Sequence, residues 1–364
     1  MPLRRLGYLL CLSFTFLPVA RGQTAAPEPP VPADPLELVT GDAQITASPE
    51  QRQQTLQLLN QAHDLSNVQA QAYHLRATFT SSGSSQYDGS WQTEDISPSR
   101  GIYRWTAQGR SYSVTNLYLD RLLYSNQPAQ GMPLRLAQFR LAVFFLYSEV
   151  GPRASLRTAS ANMNGTELTC ILIAHGARTA AAAHGRRWRE SEYCLDPKSG
   201  VLVTYSPAPG MYVLYDYSNA LHLHDRIVPG KFTITEAGQT VLEARMESLT
   251  DPAGLDRSLF TPAAGMNQIG VGSLMTPPWH LSMTIQQGNV TGQLSAQRVI
   301  LHGMLTPNGH LKEPEVLART DPTLNQNVLD RVKDGPFFSE ETEPGTTPQT
   351  HEVFIEVTLN GPGT

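Results

Sequence analysis

Residues 230–249 read GKFTITEAGQTVLEARMESL and indicate most clearly what kind of sheet the chain forms. Gly230–Thr235 and Gln239–Leu249 are rich in residue types that favour β-strands. They flank Glu236-Ala237-Gly238, which has the composition of a tight turn. Two such runs joined by a short turn predict neighbouring antiparallel strands.

The same pattern of short strands and turns extends toward the N-terminus. Tyr73, Leu75, Ala77 and Phe79 alternate with polar or small residues, as in a half-buried strand. Gly and Pro positions separate the apolar runs that follow. The further predicted strands are Ile102–Trp105, Tyr112–Thr115, Leu117–Tyr124, Thr166–Ile173, Trp188–Cys194, Val201–Tyr205 and Met211–Tyr217. Together these runs predict a long antiparallel meander between about residues 40 and 262.

Two segments within this meander predict helices. Ser48, Pro49 and Gln51 form a capping-box pattern at the start of the first helix. Its apolar positions recur at about helical spacing and predict one buried stripe, formed by Leu56, Leu59, Ala62 and Leu65. Residues 133–149 predict the second helix, because they start with Pro133 and are almost wholly apolar toward their end. Such a helix needs a nonpolar surface to lie against.

The C-terminal part predicts a separate small unit with the order ββαβ. Val299–Leu305 and Leu311–Ala318 flank the hairpin turn Pro307-Asn308-Gly309. A helix is predicted after Asp321-Pro322, with Leu324, Val328 and Val332 on one face. The closing strand Val353–Leu359 alternates strictly between aliphatic and other residues.

These patterns predict an α+β fold, in which a curved antiparallel sheet (half-barrel) with two helices precedes the small ββαβ domain. The predicted divisions are a signal peptide at 1–22, a Pro-rich spacer at 23–36, a first domain at 37–264, a Gly/Pro-rich linker at 265–280 and a second domain at 281–364.

The N-terminus has the features of a secretory signal peptide. Arg4 and Arg5 precede the apolar stretch Leu6–Val19, and Ala20-Arg21-Gly22 places small residues at the −3 and −1 positions of a cleavage site before Gln23. An uncleaved membrane anchor and lipidation at Cys11 are the alternatives. A span of about 20 apolar residues is needed to cross a bilayer. We therefore expect a cleaved leader, a periplasmic or secreted location and no stable membrane span after cleavage.

The net charge excludes one class of partner, and the cysteine content predicts a disulfide. The net charge is −5, and loss of Arg4, Arg5 and Arg21 leaves 24 basic against 32 acidic residues, a balance of −8. We therefore expect no nucleic-acid partner, because phosphate binding needs a basic face. The two cysteines outside the leader, Cys170 and Cys194, predict a disulfide in an exported protein. Two buried free thiols are the alternative.

The layout of the second domain resembles a known family. It has the Asn308-Gly309 turn, a strand ending in Val316-Leu317-Ala318, a helix after Asp321, the Phe337-Phe338 pair and the closing strand. In these features residues 284–361 resemble the C-terminal domain of TonB-type energy transducers. The resemblance implies a module that binds an envelope protein or peptide by strand addition, that is, β-augmentation. Energy transduction would require an uncleaved anchor.

The first domain is similar, more loosely, to periplasmic lipoprotein-carrier (LolA-like) half-barrels. The shared features are an N-terminal helix, a curved antiparallel meander, an inserted apolar helix and a hairpin with two cysteines. The resemblance implies a cavity for a lipid or another apolar ligand between sheet and helices. The candidate lining residues are Trp91, Tyr103, Trp105, Leu141, Phe144, Phe145 and Tyr147. The alternative is that these residues form an ordinary core.

A search for catalytic and metal motifs yields only weak candidates. The sequence contains no Gly-x-Ser-x-Gly, no His-Glu-x-x-His and no phosphate-binding Gly loop. His222 and His224 would face the same way on a strand, as two metal ligands do, but exposed histidines are the alternative. We therefore predict no catalytic residue, no metal and no cofactor.

Glu190 and Glu192 also share one predicted strand face. Paired carboxylates can perform acid–base chemistry. Their neighbours Arg186, Arg187 and Arg189 instead indicate a solvated, charged hairpin.

The resulting expectation is a non-enzymatic binding protein of the periplasm or the secreted fraction. It would carry a lipid or apolar ligand in the first domain and bind a partner through the second. The alternatives are an envelope interaction scaffold and, third, a hydrolase whose site has no recognisable motif.

Overall fold

The computed structural model describes residues 34, 36–83, 87–127, 132–144, 150–174, 183–269, 279–286, 297–320, 329–330, 332 and 350–360. Within these residues the fold is α+β, with two α-helices and mostly antiparallel, open sheets, as the sequence predicts.

The first helix, α1 (Pro49–Ser66), begins where the sequence predicts. The backbone N–H of Gln51 donates to Ser48 Oγ, and the Gln51 side chain accepts from the backbone N–H of Ser48, which confirms the capping box. Of the predicted stripe, Leu59 and Ala62 are buried, and Leu56 and Leu65 are half-buried. The second helix, α2 (Leu134–Phe144), lies within the predicted second helix.

The large sheet is a continuous antiparallel array. Its strands are β1 (Asp42–Ile45), β2 (Tyr73–Ser81), β3 (Gly89–Ser99), β4 (Ile102–Gln108), β5 (Ser113–Leu119), β6 (Leu122–Ser125), β7 (Ser155–Met163), β8 (Thr166–Ala174), β9 (Ala183–His184), β10 (Glu190–Leu195), β11 (Leu202–Ala208), β12 (Met211–Asp216), β15 (Lys231–Glu236), β16 (Gln239–Thr250) and β17 (Asn267–Ile269). Among the described residues these fifteen strands follow the order β17-β6-β5-β4-β3-β2-β16-β15-β12-β11-β10-β8-β7-β1-β9. A separate hairpin joins β13 (Leu221–Leu223) and β14 (Arg226–Val228).

Among the described residues, the small sheet contains one strand more than the sequence predicts. Its strands are β18 (Trp279–Gln286), β19 (Gln297–Leu305), β20 (Leu311–Arg319) and β21 (His351–Asn360), in the order β18-β21-β19-β20. The unpredicted strand β18 pairs in parallel with β21, whereas the other pairs are antiparallel. Within the predicted linker, β17 pairs with β6 and so belongs to the large sheet. Most of the helix predicted after Asp321 lies outside the described residues; Leu329, Asp330 and Val332 are helical.

The large sheet is covered on both sides. We call the side that packs against α1 and α2 the inner face, and it holds the main apolar cluster. We call the opposite side, at β7, β8 and β10, the outer face. The chain at residues 36–46, here named the N-terminal strap, covers the outer face with Val39 and Ala43. Since successive side chains of a strand point to opposite faces, apolar side chains are buried on both sides of the sheet.

Candidate functional site

Helix α2 lies against an aromatic surface of the inner face. The Phe139 ring stacks on Phe79, with 4.8 Å between ring centroids, and on Phe232 at 5.7 Å. Phe144 packs against Tyr73 at 6.3 Å. All residues of α2 except Leu141 are buried. The nonpolar surface that the sequence requires for this helix is thus the aromatic inner face.

The structure brings most of the predicted lining residues to this surface. Trp91, Trp105 and Phe144 are buried in the main apolar cluster, and the half-buried Tyr103 packs against that cluster. Leu141 is half-buried on α2. Phe145 and Tyr147 lie outside the described residues.

Side chains of α2 occupy the space in front of these aromatic residues. Two open grooves in the described part of the chain have volumes of about 480 and 750 Å³, and none of the predicted lining residues borders either groove. In the described residues, α2 is packed directly on the aromatic residues of the inner face.

Arg140 of α2 places a positive charge in the inner face. Arg140 Nη1 donates to Asp95 Oδ1 at 2.9 Å, and Nη2 donates to the Tyr103 hydroxyl. The Tyr103 hydroxyl in turn donates to Asp95. The guanidinium carbon lies 3.9 Å from the centroid of the Trp105 ring, which is a close cation–π contact. Asp95 and Arg140 are both buried.

Burial and charge oppose each other at this ion pair. Burial raises the pKa of the Asp95 carboxyl above its ordinary value, and the nearby Arg140 charge only partly offsets this effect. For Arg140, burial lowers the pKa, but the charge and hydrogen-bond effects of Asp95 and Tyr103 together outweigh burial and raise the pKa above its ordinary value. The carboxylate therefore depends on its cation to remain ionised.

A second buried ion pair joins α2 to the small sheet. Arg135 Nη1 and Nη2 donate to the two oxygens of Glu236 at 2.5 and 3.0 Å, and Gln138 also donates to Glu236. On the other side, His302 Nδ1 of β19 lies 3.9 Å from Glu236 Oε2, and its Nε2 lies 2.8 Å from Glu352 Oε1. The start of α2 and the small sheet therefore share one carboxylate, that of Glu236.

Apolar contacts accompany this shared carboxylate. Leu134, Trp188 and Met211 form one cluster with three residues of the small sheet, which are Ile300, Leu317 and Phe354. The large and small sheets are thus packed together at the first turn of α2.

The hairpin that carries Arg186, Glu190 and Glu192 is buried on the outer face, so the prediction that it is solvated is wrong. Arg186, Glu190 and Glu192 are each about 1% exposed, Arg187 is buried, and only Arg189 is exposed. Glu190 is paired with Arg157 inside the protein, and Arg186 is paired with Glu37 of the N-terminal strap.

The pairing on the outer face uses residues far apart in the chain. Arg157 donates twice to Glu190, at 2.8 and 2.6 Å. Arg186 Nη1 lies 3.4 Å from Glu37 Oε2 of the strap, and the Tyr212 hydroxyl donates to the same oxygen at 3.0 Å.

Glu192 stands out among these groups. Burial, a hydrogen bond with Glu37 and the Glu37 charge raise the pKa of Glu192 well above its ordinary value. The carboxyl is therefore held in its protonated form over a wider pH range than in water.

The predicted disulfide is confirmed. Cys170 and Cys194 are bonded and lie directly opposite each other on β8 and β10. Both are fully buried on the outer face beneath Val39 and Ala43 of the strap. In the described part of the chain these cysteines and Glu192 form the single cluster with metal-ligand spacing. Because Cys170 and Cys194 are bonded to each other, neither is available as a metal-binding thiolate.

The weak metal candidates do not share a strand. His222 lies on β13, which ends at Leu223, and His224 has a φ of 52° in the turn to β14. Both are exposed. The expectation that one strand would point both imidazoles the same way is therefore wrong.

Sequence reasoning missed Arg140, Asp95, Arg135 and Glu236. Arg135 and Arg140 interrupt the apolar segment LRLAQFRLAVF, which is a visible signal of buried polar partners. Asp95 is in phase with Trp91 on one strand face, which is a second signal. None of the described helices is long and apolar enough to cross a bilayer.

Comparison with known proteins finds distant structural likeness only. No protein-family profile matches the chain, and no curated protein matches it in sequence. A LolA superfamily protein, NE2245 of Nitrosomonas europaea, is similar with a TM-score of 0.38 and 8% identity, over 57% of this chain and 96% of that one. A domain from Vibrio parahaemolyticus, described as an outer membrane lipoprotein-sorting protein, has a TM-score of 0.37 and 10% identity, over 56% and 95%. The MucA/MucB complex of Pseudomonas aeruginosa gives 0.27 and 11%, over 58% and 62%.

Proposed function

We propose that the protein binds an apolar ligand between helix α2 and the inner face of its large sheet, and that it acts in the periplasm or after secretion by binding and not by catalysis. The observation that carries this proposal is an aromatic sheet surface covered by one helix. The aromatic surface is formed by Tyr73, Phe79, Trp91, Trp105 and Phe232.

The way in which α2 is attached supports a removable cover. A helix satisfies its own backbone hydrogen bonds, so it can leave a surface without exposing unpaired backbone groups. The contacts described above between α2 and the sheet are made by side chains, and the Tyr215 hydroxyl donates to the Ala142 carbonyl near the end of the helix. A ligand that covers the same aromatic area would compensate for the loss of α2 from that area.

The charges on α2 support the same view. A buried ion pair is often no more stabilising than an apolar pair of similar size, although it fixes geometry well. Arg135 and Arg140 therefore define one closed position of the helix without adding the full affinity of an apolar contact.

Two features support action outside the cytoplasm. The disulfide is typical of oxidising compartments. The first 22 residues have the composition of a signal peptide.

Organic extraction followed by mass spectrometry tests the proposal. The full chain would be expressed with its own leader under several lipid supplies and purified without detergent. We expect a reproducible apolar molecule in near-stoichiometric amount. Extracts that are empty under every lipid supply, together with no uptake of a fluorescent fatty-acid probe by the purified protein, would contradict the proposal.

A pair of matched variants sharpens this test. Leu136→Ala loosens α2, and Leu59→Ala removes the same side-chain volume from α1 in the same apolar cluster. Each costs about 2–5 kcal/mol of stability. We expect faster probe uptake in L136A than in L59A. Equal uptake rates would mean that α2 is not the cover.

Partner binding by strand addition to the second domain remains a prediction. Of the two edge strands in the described part of the small sheet, β20 carries Pro314 and a φ of 51° at Glu313, and both features disfavour pairing. We therefore assign the added strand to the edge of β18. Cross-linking in the native envelope should recover a defined partner that is lost when residues 270–364 are deleted.

A further inference from the structure

On the inner face, the Arg140 guanidinium is surrounded by groups that bind cations. Asp95 supplies a carboxylate, Tyr103 a phenol oxygen and Trp105 an aromatic face, and all three surround the Arg140 guanidinium. A carboxylate combined with aromatic rings is the chemistry that recognises ammonium and guanidinium groups. Tyr103 is half-buried, whereas Asp95, Trp105 and Arg140 are buried.

The parts of this position belong to two different elements. Asp95, Tyr103 and Trp105 lie on the neighbouring strands β3 and β4 and stay with the sheet. Arg140 lies on α2 and leaves when the helix moves. When α2 moves away, the Arg140 cation therefore leaves with it. Asp95, Tyr103 and Trp105, here named the cation receptor, remain on the ligand-binding surface.

The cation receptor without a bound cation is energetically unfavourable. An ionised carboxylate left buried and unpaired in an apolar site is strongly destabilising, and otherwise it must take up a proton. Burial already raises the pKa of Asp95. A ligand with a positive head restores the pairing, whereas a neutral head does not, and an anionic head adds repulsion.

We infer that the ligand of the first domain is a cationic amphiphile, an apolar chain with an ammonium or guanidinium head that binds where the Arg140 guanidinium lies in the closed structure. Helix α2 then acts as an internal substitute for this ligand. The inference rests on the proposed function, because it names the chemical class of the molecule that displaces α2.

Three probes with the same chain length test the inference. Dodecyltrimethylammonium, dodecanol and dodecanoate carry positive, neutral and negative heads on a matched apolar chain. Binding to the full chain would be measured by calorimetry below the micelle-forming concentrations. We expect the cationic probe to bind at least about tenfold more tightly than the neutral one, which corresponds to about 1.4 kcal/mol. The anionic probe should bind most weakly.

The Asp95→Asn variant is the matched control. The asparagine side chain keeps the shape and one acceptor oxygen but removes the charge, so the three affinities should fall within about threefold of one another, a difference of less than about 1 kcal/mol. Failure of all three probes to bind the native chain would contradict the proposed function itself. Equal binding of the three, or a preference for the anion, would leave the proposed function standing and overturn the inference.

A second variant tests the cation position without any movement of α2. Arg140→Met keeps most of the side-chain volume and removes the guanidinium. We expect millimolar methylguanidinium to raise the melting temperature of R140M more than its neutral analogue methylurea does. The native chain should show no such difference. An equal response of R140M to both compounds would contradict a cation site at this position, even if Asp95→Asn fails to fold.

Discussion

The two faces of the large sheet are both covered, but by different kinds of attachment. On the outer face the strap is joined through its main chain: the Gly185 and Arg186 N–H groups donate to the Gly41 and Val39 carbonyls, and β1 pairs with β7 and β9. On the inner face α2 is held by side chains. Removing the strap would break sheet hydrogen bonds, whereas removing α2 would not. The inner cover is therefore the one suited to reversible opening.

Both faces bury arginine–carboxylate pairs, and these pairs differ in how the carboxylate is held. Glu190 is fully buried and accepts two hydrogen bonds from Arg157 and one from the backbone N–H of Arg187. Asp95 Oδ1 accepts from Arg140 and from the Tyr103 hydroxyl. Burial raises the pKa of the Asp95 carboxyl, although the Arg140 charge and the Tyr103 hydrogen bond oppose this shift, so Asp95 can take up a proton when Arg140 is removed.

The largest effect is expected from removing Arg157. Arg157→Met should lower the free energy of unfolding by about 3–5 kcal/mol, because Glu190 remains buried without its cation. Arg140→Met should lower it by about 2–3 kcal/mol, because Asp95, whose pKa burial raises, can take up a proton once the cation is gone. Urea unfolding followed by circular dichroism measures both values.

A double variant serves as the control for this comparison. Replacing the pair with Arg157→Met and Glu190→Leu should recover most of the loss, since it removes both charges. A loss in R140M as large as that in R157M would remove the proposed difference between the two faces.

The next effect concerns the disulfide beneath the strap. Replacing both Cys170 and Cys194 by alanine should lower the free energy of unfolding by about 3 kcal/mol, from the chain entropy of a cross-link that spans 24 positions. Added reductant should act slowly on the folded native chain, because both sulfur atoms are buried. An unchanged urea midpoint in the double variant would show that the strap and sheet already supply this constraint.

A smaller effect is expected from the pH dependence of the outer face. Folding raises the pKa of Glu192 above its ordinary 4.5, so the folded chain binds a proton that the unfolded chain has lost. Stability should therefore fall as pH rises from about 4.5 toward the raised pKa, by about 1.4 kcal/mol for each pH unit between the two pKa values. Glu192→Gln should flatten this slope, whereas Glu243→Gln, at an exposed site, should not. Equal slopes in the native chain and E192Q would contradict the assignment.

The smallest effect is expected at a surface ion pair. Lys231 Nζ lies 2.9 Å from Glu243 Oε1, and both side chains are exposed. Lys231→Ala should lower the free energy of unfolding by less than about 1 kcal/mol, because solvent and salt screen the pair. A loss comparable to that of R157M would mean that burial does not govern the strength of ion pairs in this sheet.

Local sequence patterns predicted the elements whose causes are local. The capping box at Ser48 and Gln51 depends on residues three positions apart, and the structure confirms it. The disulfide followed from the count of cysteines outside the leader and is also confirmed. Strand β18 was missed because Pro277-Pro278 directly precede it and extended the linker pattern into its first residues.

The buried charges could not be predicted because their partners are distant in sequence. Arg186 is paired with Glu37, 149 positions away, and Arg135 with Glu236, 101 positions away. From composition alone, the charged hairpin at Arg186 is interpreted as solvated, because the strap residue Glu37 that pairs with it is distant in sequence. The predicted aromatic residues that the structure describes lie on the inner face, whereas the buried charged residues beside them were not predicted.

Hydrogen–deuterium exchange across α2 tests the central claim most directly. The full chain would be compared with and without saturating dodecyltrimethylammonium. We expect residues 134–144 to lose protection when the probe binds, while β1 and β7 keep theirs. Binding that leaves α2 fully protected would contradict its role as the cover of the ligand site.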